Sequence, residues 1–560
     1  MFSHPLSNQE PTTGIRLVLG YLFVFVAFVG GINLFPLIMI AFYPSEWTCF
    51  PAFLISGGSS LLIGALFAFL LLRKKAKGKL AKFQDSVLLV LIWIAAIVIA
   101  AMPYFLADKL DFFGANNGAL SMNFSESFFE AMSGYCTVGY TVLHGFDSSG
   151  MPTASNFIDS SVSFCPHVFL FYRALTQFFG GVGLILVVAS AVSDRFGMQL
   201  FTTEGHNDRL LPNLAKTAKA TFGIYVAIIA VGAISMWLFG MDPFEALCHS
   251  ISGMATGGFS TRLTSLYGYT NPNPVFGVVN NVGIEISNMV VMILGATSFL
   301  VLFNAVTLKW KNIVKDCEFR LMTIITTLSI IFGTVLVIYQ YSDGVQEGLN
   351  FSTALRYASF QVVCCLTTTG FGNAPSVVAL GEGMVLLSIL LMTIGGGMGS
   401  TAGGMKQFRI ALGLKSLWWS IIHKFTPGRL RYPRNMYRAG KTFEVTEDIY
   451  RENSLYIILY AMVMIVPALI IIALPRGVNG LHYTATESIY LVSSALSSAG
   501  NTVVDILGVR QGLHAAGASL WSYNLMLWIL SVCMLLGRLE ILPIYYAIRR
   551  MNRIILRRRV

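Results

Sequence analysis

The chain has 560 residues, of which 55% are hydrophobic and only 12% charged. A soluble protein of that size needs far more charge to cover its surface, and the long uninterrupted apolar runs exclude a transmembrane β-barrel, which leaves an all-α polytopic membrane protein. The net charge of +11 does not signal nucleic acid, because Lys and Arg gather in loops between apolar runs, as topology signals do.

A bilayer core of about 30 Å takes roughly 20 apolar residues per helix. Such runs lie at 15–42, 52–72, 84–106, 167–193, 217–239, 276–307, 318–341, 382–422, 450–474 and 515–547, which predicts ten spans, some too long for one straight crossing. The first lacks a basic n-region and a small-residue cleavage site, so it reads as a retained helix and not a signal peptide. Basic clusters follow the second span (Arg73, Lys74, Lys75, Lys77, Lys79, Lys82), the sixth (Lys309, Lys311, Lys315, Arg320) and the eighth (Lys424, Arg429, Arg431, Arg434, Arg438, Lys441). The tail adds Arg549, Arg550, Arg553, Arg557, Arg558 and Arg559. With ten spans all of these fall on one side, which predicts the cytoplasm and places both termini there. The eight cysteines show no metal-ligand spacing and no disulfide framework.

The opposite loops are poor in Lys and Arg. Each contains an apolar run too short to span, at 124–135, 243–254, 353–366 and 486–496, predicted as re-entrant half-helices. Each run ends on an uncharged loop with a glycine: Gly139, Gly258, Gly370 and Gly500, separated by 119, 112 and 130 residues. Ser133 and Gly134 recur as Ser252 and Gly253 at the same offset, so one hairpin module is repeated. The expected organisation is a two-helix unit at 1–83 and repeats at 84–197, 198–310, 311–425 and 426–560.

A cation entering lipid loses its water, and a ring of backbone carbonyls replaces it. Glycine frees the backbone to aim carbonyls at an axis, and Thr and Ser add oxygens without charge. The expected lining is Cys136, Thr137, Val138 and Gly139; Ala255, Thr256, Gly257 and Gly258; Thr367, Thr368, Thr369 and Gly370; and Ser497, Ser498, Ala499 and Gly500. The ion would sit at Thr137, Val138, Thr256, Gly257, Thr368, Thr369, Ser498 and Ala499. One such loop alone is explained as well by helix packing or a turn. Four in register, each after a non-spanning apolar run, are not. The run Thr137, Val138, Gly139, Tyr140 also matches the filter of tetrameric potassium channels.

A second glycine cluster, Gly395, Gly396, Gly397, Gly399, Gly403 and Gly404, lies inside the run 382–422. At about 1 kcal/mol each relative to alanine, these glycines break a helix. Non-helical backbone at that depth survives only inside protein or against water, so the segment is expected to cross the pathway beneath the loops. Arg538 is embedded in the last apolar run, where a charge faces a cavity or snorkels to the boundary; Glu540 points to another helix face. Lys406 either touches the glycine segment or anchors in headgroups.

The segments 128–134, 173–181, 240–249, 256–261, 399–406 and 536–540 resemble the Trk/Ktr/HKT superfamily of cation transporters, on its TrkH/TrkG side. The resemblance implies four M1–pore helix–M2 repeats in pseudo-fourfold arrangement within one chain, plus two extra N-terminal helices. It implies K+ as the transported ion, since the filter glycine is present in all four loops where a first-loop Ser goes with sodium. It also implies an intramembrane gate at the glycine cluster, with Lys406 beside it and Arg538 beneath the filter as a barrier to cations. Further implications are a homodimer in the bacterial inner membrane and a cytosolic nucleotide-binding subunit similar to TrkA. The first loop departs from the family pattern, with Tyr140 a bulky residue after the glycine.

No phosphate-binding motif occurs, so no organic cofactor is expected in this chain, and regulation by nucleotide falls to the partner. The basic loop 424–441 suits either that partner or anionic membrane lipid. Glu130 is expected to bond loop backbone or attract cations, and His249 and Gln361 to brace the half-helices. The pairs Arg173 with Gln177 and Glu285 with Asn288 read as packing contacts. A sodium or mixed monovalent-cation transporter, Na+- or H+-coupled as a symporter, is the alternative on the same frame. An enzyme is not expected, for want of a metal-spaced His cluster or a nucleophile with a base.

Overall fold

A computed structural model of the chain describes residues 15–72, 84–109, 122–143, 145–146, 152–153, 165–182, 214–262, 264–267, 269, 279–342, 350–425, 434–438, 440–476, 482–541 and 544–545. The basic clusters at 73–83 and 546–560, and most of 424–434, from which the orientation is read, lie outside the described residues.

Two helices open the chain, α1 (Ile15–Leu34) and α2 (Phe50–Leu72). They approach at backbone distance because glycines face each other: a β-carbon on Gly64 would lie 2.4 Å from the Ala27 nitrogen, and one on Gly30 would lie 2.5 Å from the Leu61 nitrogen. The pair docks on the first repeat through polar contacts. Asn33 donates to the Ile99 carbonyl at 3.1 Å and accepts from the Tyr172 hydroxyl at 2.9 Å. Glu46, in the link between α1 and α2, accepts the backbone N–H groups of His167 and Val168 and so caps the helix His167–Val182.

Four repeats follow, each a long helix, a half-helix, a loop and a second helix. They are α3 (Gln84–Lys109), α4 (Phe124–Tyr135), α5 (His167–Val182); α6 (Leu214–Leu238), α7 (Pro243–Met254), α8 (Asn281–Ala296) with α9 (Phe299–Val306) and α10 (Trp310–Lys315); α11 (Cys317–Ser342), α12 (Phe351–Leu366), α13 (Glu382–Ile394) with α14 (Gln407–Phe425); and α15 (Glu447–Ala473), α16 (Ala485–Leu496), α17 (Ile506–Ala515), α18 (Trp521–Arg538). Contacts run α5 to α7, α8 to α12, α13 to α16 and α18 to α4, which closes the repeats into a ring. Strands are marginal: β1 (Gly145–Phe146) pairs with β2 (Pro152–Thr153), and β3 (Asn435–Arg438) with β4 (Lys441–Glu444).

Among the described residues, six of the ten predicted spans are single helices long and apolar enough to cross a membrane: Arg16–Ala41, Pro44–Leu72, Ser86–Ala107, Lys219–Leu238, Cys317–Gln340 and Glu447–Ala473. The other four are the helices that follow the loops. The predicted span 276–307 is bent by 110° between α8 and α9, and 382–422 is interrupted between α13 and α14. In the last predicted span the described helix runs Trp521–Arg538, while the described part of 167–193 ends at Val182. Hydropathy sees only continuous apolar sequence. It is blind to the bend that follows Gly295 and to the non-helical segment between α13 and α14.

The half-helices start where local chemistry dictates. Asn123 with Glu126, and Thr484 with Glu487, form reciprocal capping boxes, and Asp242 caps α7 at the Phe244 and Glu245 N–H groups. The first-turn glutamates are themselves ion-paired: Glu126 with Arg510, Glu245 with Arg262 at 3.3 Å, and Glu487 with Arg476 at 2.6 Å. In the third repeat the polarity is reversed. There Arg356 on α12 meets Glu285 on α8 at 2.7 Å.

Candidate ion pathway

All four half-helices end in the same way. The last helical turn is closed by a Schellman motif: Thr137, Thr256, Thr368 and Ser498 donate to Gly134, Gly253, Cys365 and Ala495, at 3.0 to 3.2 Å. The next residues, Val138, Gly257, Thr369 and Ala499, reach back to Ser133, Ser252, Cys364 and Ser494, at 2.8 to 2.9 Å. The motif puts its pivot residue in the left-handed region. Thr137, Thr256, Thr368 and Ser498 have φ of 52°, 50°, 53° and 57°. For β-branched threonine this is a strained conformation, of the kind that clusters at functional sites.

The four glycines that follow, at φ of 93°, 75°, 97° and 72°, bring the loops into backbone contact. A β-carbon on Gly139 would lie 2.3 Å from the Gly257 carbonyl oxygen, and one on Gly258 would lie 2.1 Å from that of Thr369. One on Gly370 would lie 2.1 Å from the Ala499 oxygen, and one on Gly500 only 1.8 Å from that of Val138. The contacts run from the first loop to the second, third, fourth and back to the first. The predicted filter residues therefore form one closed ring, uncharged and almost entirely buried. Among the described residues, the buried Thr137 and Ser498 hydroxyls have no hydrogen-bond partner.

The residue after each glycine locks onto the half-helix of the preceding repeat. The Tyr140 hydroxyl donates to the Leu491 carbonyl at 3.0 Å, and Phe259 lies beside Gly134. The Phe371 ring is 5.6 Å from that of His249, and Asn501 donates to the Cys365 sulfur at 3.3 Å. Tyr140 is thus buried against α16. Outside the ring lies a cavity of about 350 Å³, with Gly139, Gly258, Gly370 and Gly500 among its lining. Arg173 and Arg262 also line it. Glu130 neutralises the first at 2.9 Å, and Glu245 the second.

Glu130 accepts the Val142 N–H at 2.9 Å and the Thr141 hydroxyl at 3.1 Å, so it bonds loop backbone as one of its two expected roles. His249 bridges the Glu245 carbonyl and the Ser260 hydroxyl, and Gln361 reaches the Cys365 sulfur and Ser388 hydroxyl. Sequence reasoning reads Gln177 as a packing contact. Its Nε2 donates to the Gly257 carbonyl at 2.6 Å, a direct hold on the second loop. It also missed the glycines that press on half-helix ends: β-carbons on Gly180, Gly295 and Gly537 would lie 2.2, 2.5 and 2.0 Å from the carbonyls of Tyr135, Met254 and Leu496. Gly180 and Gly295 lie one repeat apart and Gly537 two repeats further on, each late in an apolar run, and that spacing was the available signal.

The segment 395–406 is non-helical and runs against the inner side of the ring. Gly395, Gly399 and Gly404 have φ of 72°, 75° and 80°. Gly397 and Thr401 donate backbone N–H groups to Ala296 and Gly295, and Gly403 donates to the Thr368 hydroxyl at 2.8 Å. The Thr256 hydroxyl bonds that of Thr401 at 3.2 Å. A β-carbon on Gly403 would lie 1.9 Å from the Ser497 carbonyl, while Gly396 abuts the Ala402 side chain. Arg538 ties this loop to α5. Its guanidinium donates to the Thr401 carbonyl at 3.1 Å, to Gly180, and to Gly181 at 3.4 Å. Glu540 faces away and pairs with Arg409 at 2.7 Å. The Lys406 ammonium donates to the Ala402 carbonyl of the same loop.

Residues 59–553 match the TrkH family, described as a cation transport protein. The chain is 28% identical over 482 residues to the Trk system potassium uptake protein TrkH of Escherichia coli (strain K12), covering 84% of this chain and 85% of that one. An uncharacterized cation transporter of Methanocaldococcus jannaschii is 27% identical over 544 residues, 96% of this chain and 95% of its own. The crystal structure of the potassium transporter TrkH from Vibrio parahaemolyticus matches with a TM-score of 0.73 at 25% identity, covering 95% of this chain and 97% of that one. Matched over most of its length, the chain belongs to the TrkH family of cation transport proteins, a family of transporters and not of enzymes.

Proposed function

We propose that the protein takes up K+ across the bacterial inner membrane through the ring of four loops. The observation that carries this reading is the closed backbone contact among Gly139, Gly258, Gly370 and Gly500. A ring of carbonyls and hydroxyls replaces the water of a monovalent cation, and the C-terminal ends of α4, α7, α12 and α16 add partial negative charge beside it. No carboxylate enters the ring, which suits a singly charged ion. The printed names of the relatives from Escherichia coli and Vibrio parahaemolyticus support potassium as that ion.

In this reading Gly395, Gly396, Gly397, Gly399, Gly403 and Gly404 form a gate beneath the filter, and Lys406 and Arg538 hold it. The repeats are taken as 84–197, 198–310, 311–425 and 426–560, after a two-helix unit at 1–83. Both termini face the cytoplasm, where the basic loops contact anionic lipid and a TrkA-like nucleotide-binding subunit, and two copies of the chain pair in the membrane. Expression in a host lacking K+ uptake tests the ion: growth is restored at low potassium. Absence of rescue, together with Na+ flux through the purified protein in liposomes, would overturn the potassium assignment in favour of the sodium alternative.

A further inference from the structure

Glu318 stands in the first turn of α11, behind Asp316, whose carboxylate accepts the Glu318 N–H at 2.9 Å. Its side chain is only 4% exposed. A carboxylate buried this deeply must be held by donors on more than one side. One oxygen, Oε1, serves two. It accepts the Met398 N–H of loop 395–406 at 3.1 Å, and it lies 3.5 Å from Nε of Arg438. The other oxygen stands 3.6 Å from where a β-carbon on Gly397 would be.

Arg438 ends β3 of the small hairpin that joins α14 to α15. Its guanidinium lies over the Phe408 ring, 4.7 Å from the centroid, in the first turn of the helix that leaves the loop. The hairpin is seated by its own apolar side: Met436 and Val445 are buried with Ala411 and Leu412 of α14, and Phe443 stands 6.0 Å from Phe408. Tyr437 bonds Asn312 at 3.0 Å. The hairpin therefore grips α14 and, through one carboxylate oxygen, the loop as well.

We propose that Glu318 is a positioning residue of the gate: it braces loop 395–406 across the ion path, and Arg438 transmits displacements of the hairpin to that brace. This rests on the reading of 395–406 as a gate. A hairpin anchored only for stability has no need of a buried acid reaching into the loop. The shared oxygen makes the two contacts interdependent, because moving Arg438 changes the charge environment of the acceptor that holds Met398.

Basal K+ flux through the full chain in liposomes tests the proposal. Glu318→Ala raises it roughly tenfold, the scale of losing one buried charge-assisted hydrogen bond. Glu318→Gln raises it less, since the amide oxygen still accepts the Met398 N–H. Arg438→Gln acts through the same route, so Glu318→Ala combined with Arg438→Gln gives no more flux than Glu318→Ala alone. The K+/Na+ permeability ratio stays at the wild-type value throughout, which general loosening of the bundle would not allow. Unchanged flux in the Glu318 variants, additive effects in the double variant, or an altered ratio each overturn the proposal. Should Glu318→Ala not fold, the size-conserving Glu318→Gln and Arg438→Gln carry the same comparison. Gly399→Ala, strained at φ of 75°, separates the two readings. If it raises flux while the Glu318 variants do not, the brace is wrong and the gate stands; if none of them changes flux, the gate reading falls and the brace with it.

Discussion

Gly500 and Val138 join the last repeat to the first: a β-carbon at 500 would stand 1.8 Å from the Val138 carbonyl oxygen. This is the tightest of the four loop-to-loop contacts, and it is the one that closes the ring. A methyl group there must displace the backbone it strikes, at a cost of about 1–3 kcal/mol, and the positive φ adds strain on top. Gly500→Ala is therefore expected to lose K+/Na+ discrimination by an order of magnitude or more, as is Gly139→Ser. Bi-ionic permeability ratios in liposomes check this. Wild-type ratios in both variants would remove these loops from the filter.

Gln177 holds the Gly257 carbonyl from the neighbouring repeat. Gln177→Leu keeps the bulk and removes the donor, worth about 1 kcal/mol. The expected result is a several-fold fall in the permeability ratio with little change in thermal stability. A loss of stability without any change in the ratio would make Gln177 a packing residue.

Tyr140 divides into two effects. Its hydroxyl bonds the Leu491 carbonyl, and its ring lies 6.2 Å from that of Phe129. Tyr140→Phe should lower stability by about 1 kcal/mol and leave selectivity near wild type, because the ring still fills its place. Tyr140→Ala opens a cavity costing about 3–5 kcal/mol, on the scale of other aromatic deletions, and should impair folding or flux. Melting temperature and flux measured on the same preparations distinguish the two.

Arg538 bridges the Thr401 and Gly180 carbonyls, one on the loop and one on α5. Arg538→Gln should raise basal flux about tenfold or more, the scale set by losing charge-assisted bonds of this kind. Arg538→Lys should restore little, because a single ammonium lacks the fork that reaches both acceptors. Equal flux in wild type and both variants would place the barrier elsewhere.

The sequence made the half-helices legible because their signals are local. Phe124–Tyr135 and Pro243–Met254 begin and end as expected, since Asn123 and Asp242 cap them and Thr137 and Thr256 terminate them. The third starts at Phe351, two residues before the expected 353, and the fourth at Ala485, one before 486. The broken helix at 395–406 was equally local, written in glycine. What stayed hidden depends on residues brought together from different repeats. Nothing near Gln177 in sequence points to Gly257, and nothing near Glu318 points to Met398 or Arg438. The bend between α8 and α9 was hidden for a related reason: Thr297 and Ser298 do not disturb hydropathy, and the arrest comes from Gly295 meeting Met254.

The four residues that lock the loops are Tyr140, Phe259, Phe371 and Asn501, three aromatic rings and one amide. A pore assembled from identical subunits changes such a position four times with every mutation, so each trial is drastic. Here each quarter of the circle has its own codon. One quarter can be altered while the other three keep the geometry, and the fourth carries an amide where the others carry rings. The pathway can thus be retuned in quarter steps, and its axis is free to be lopsided.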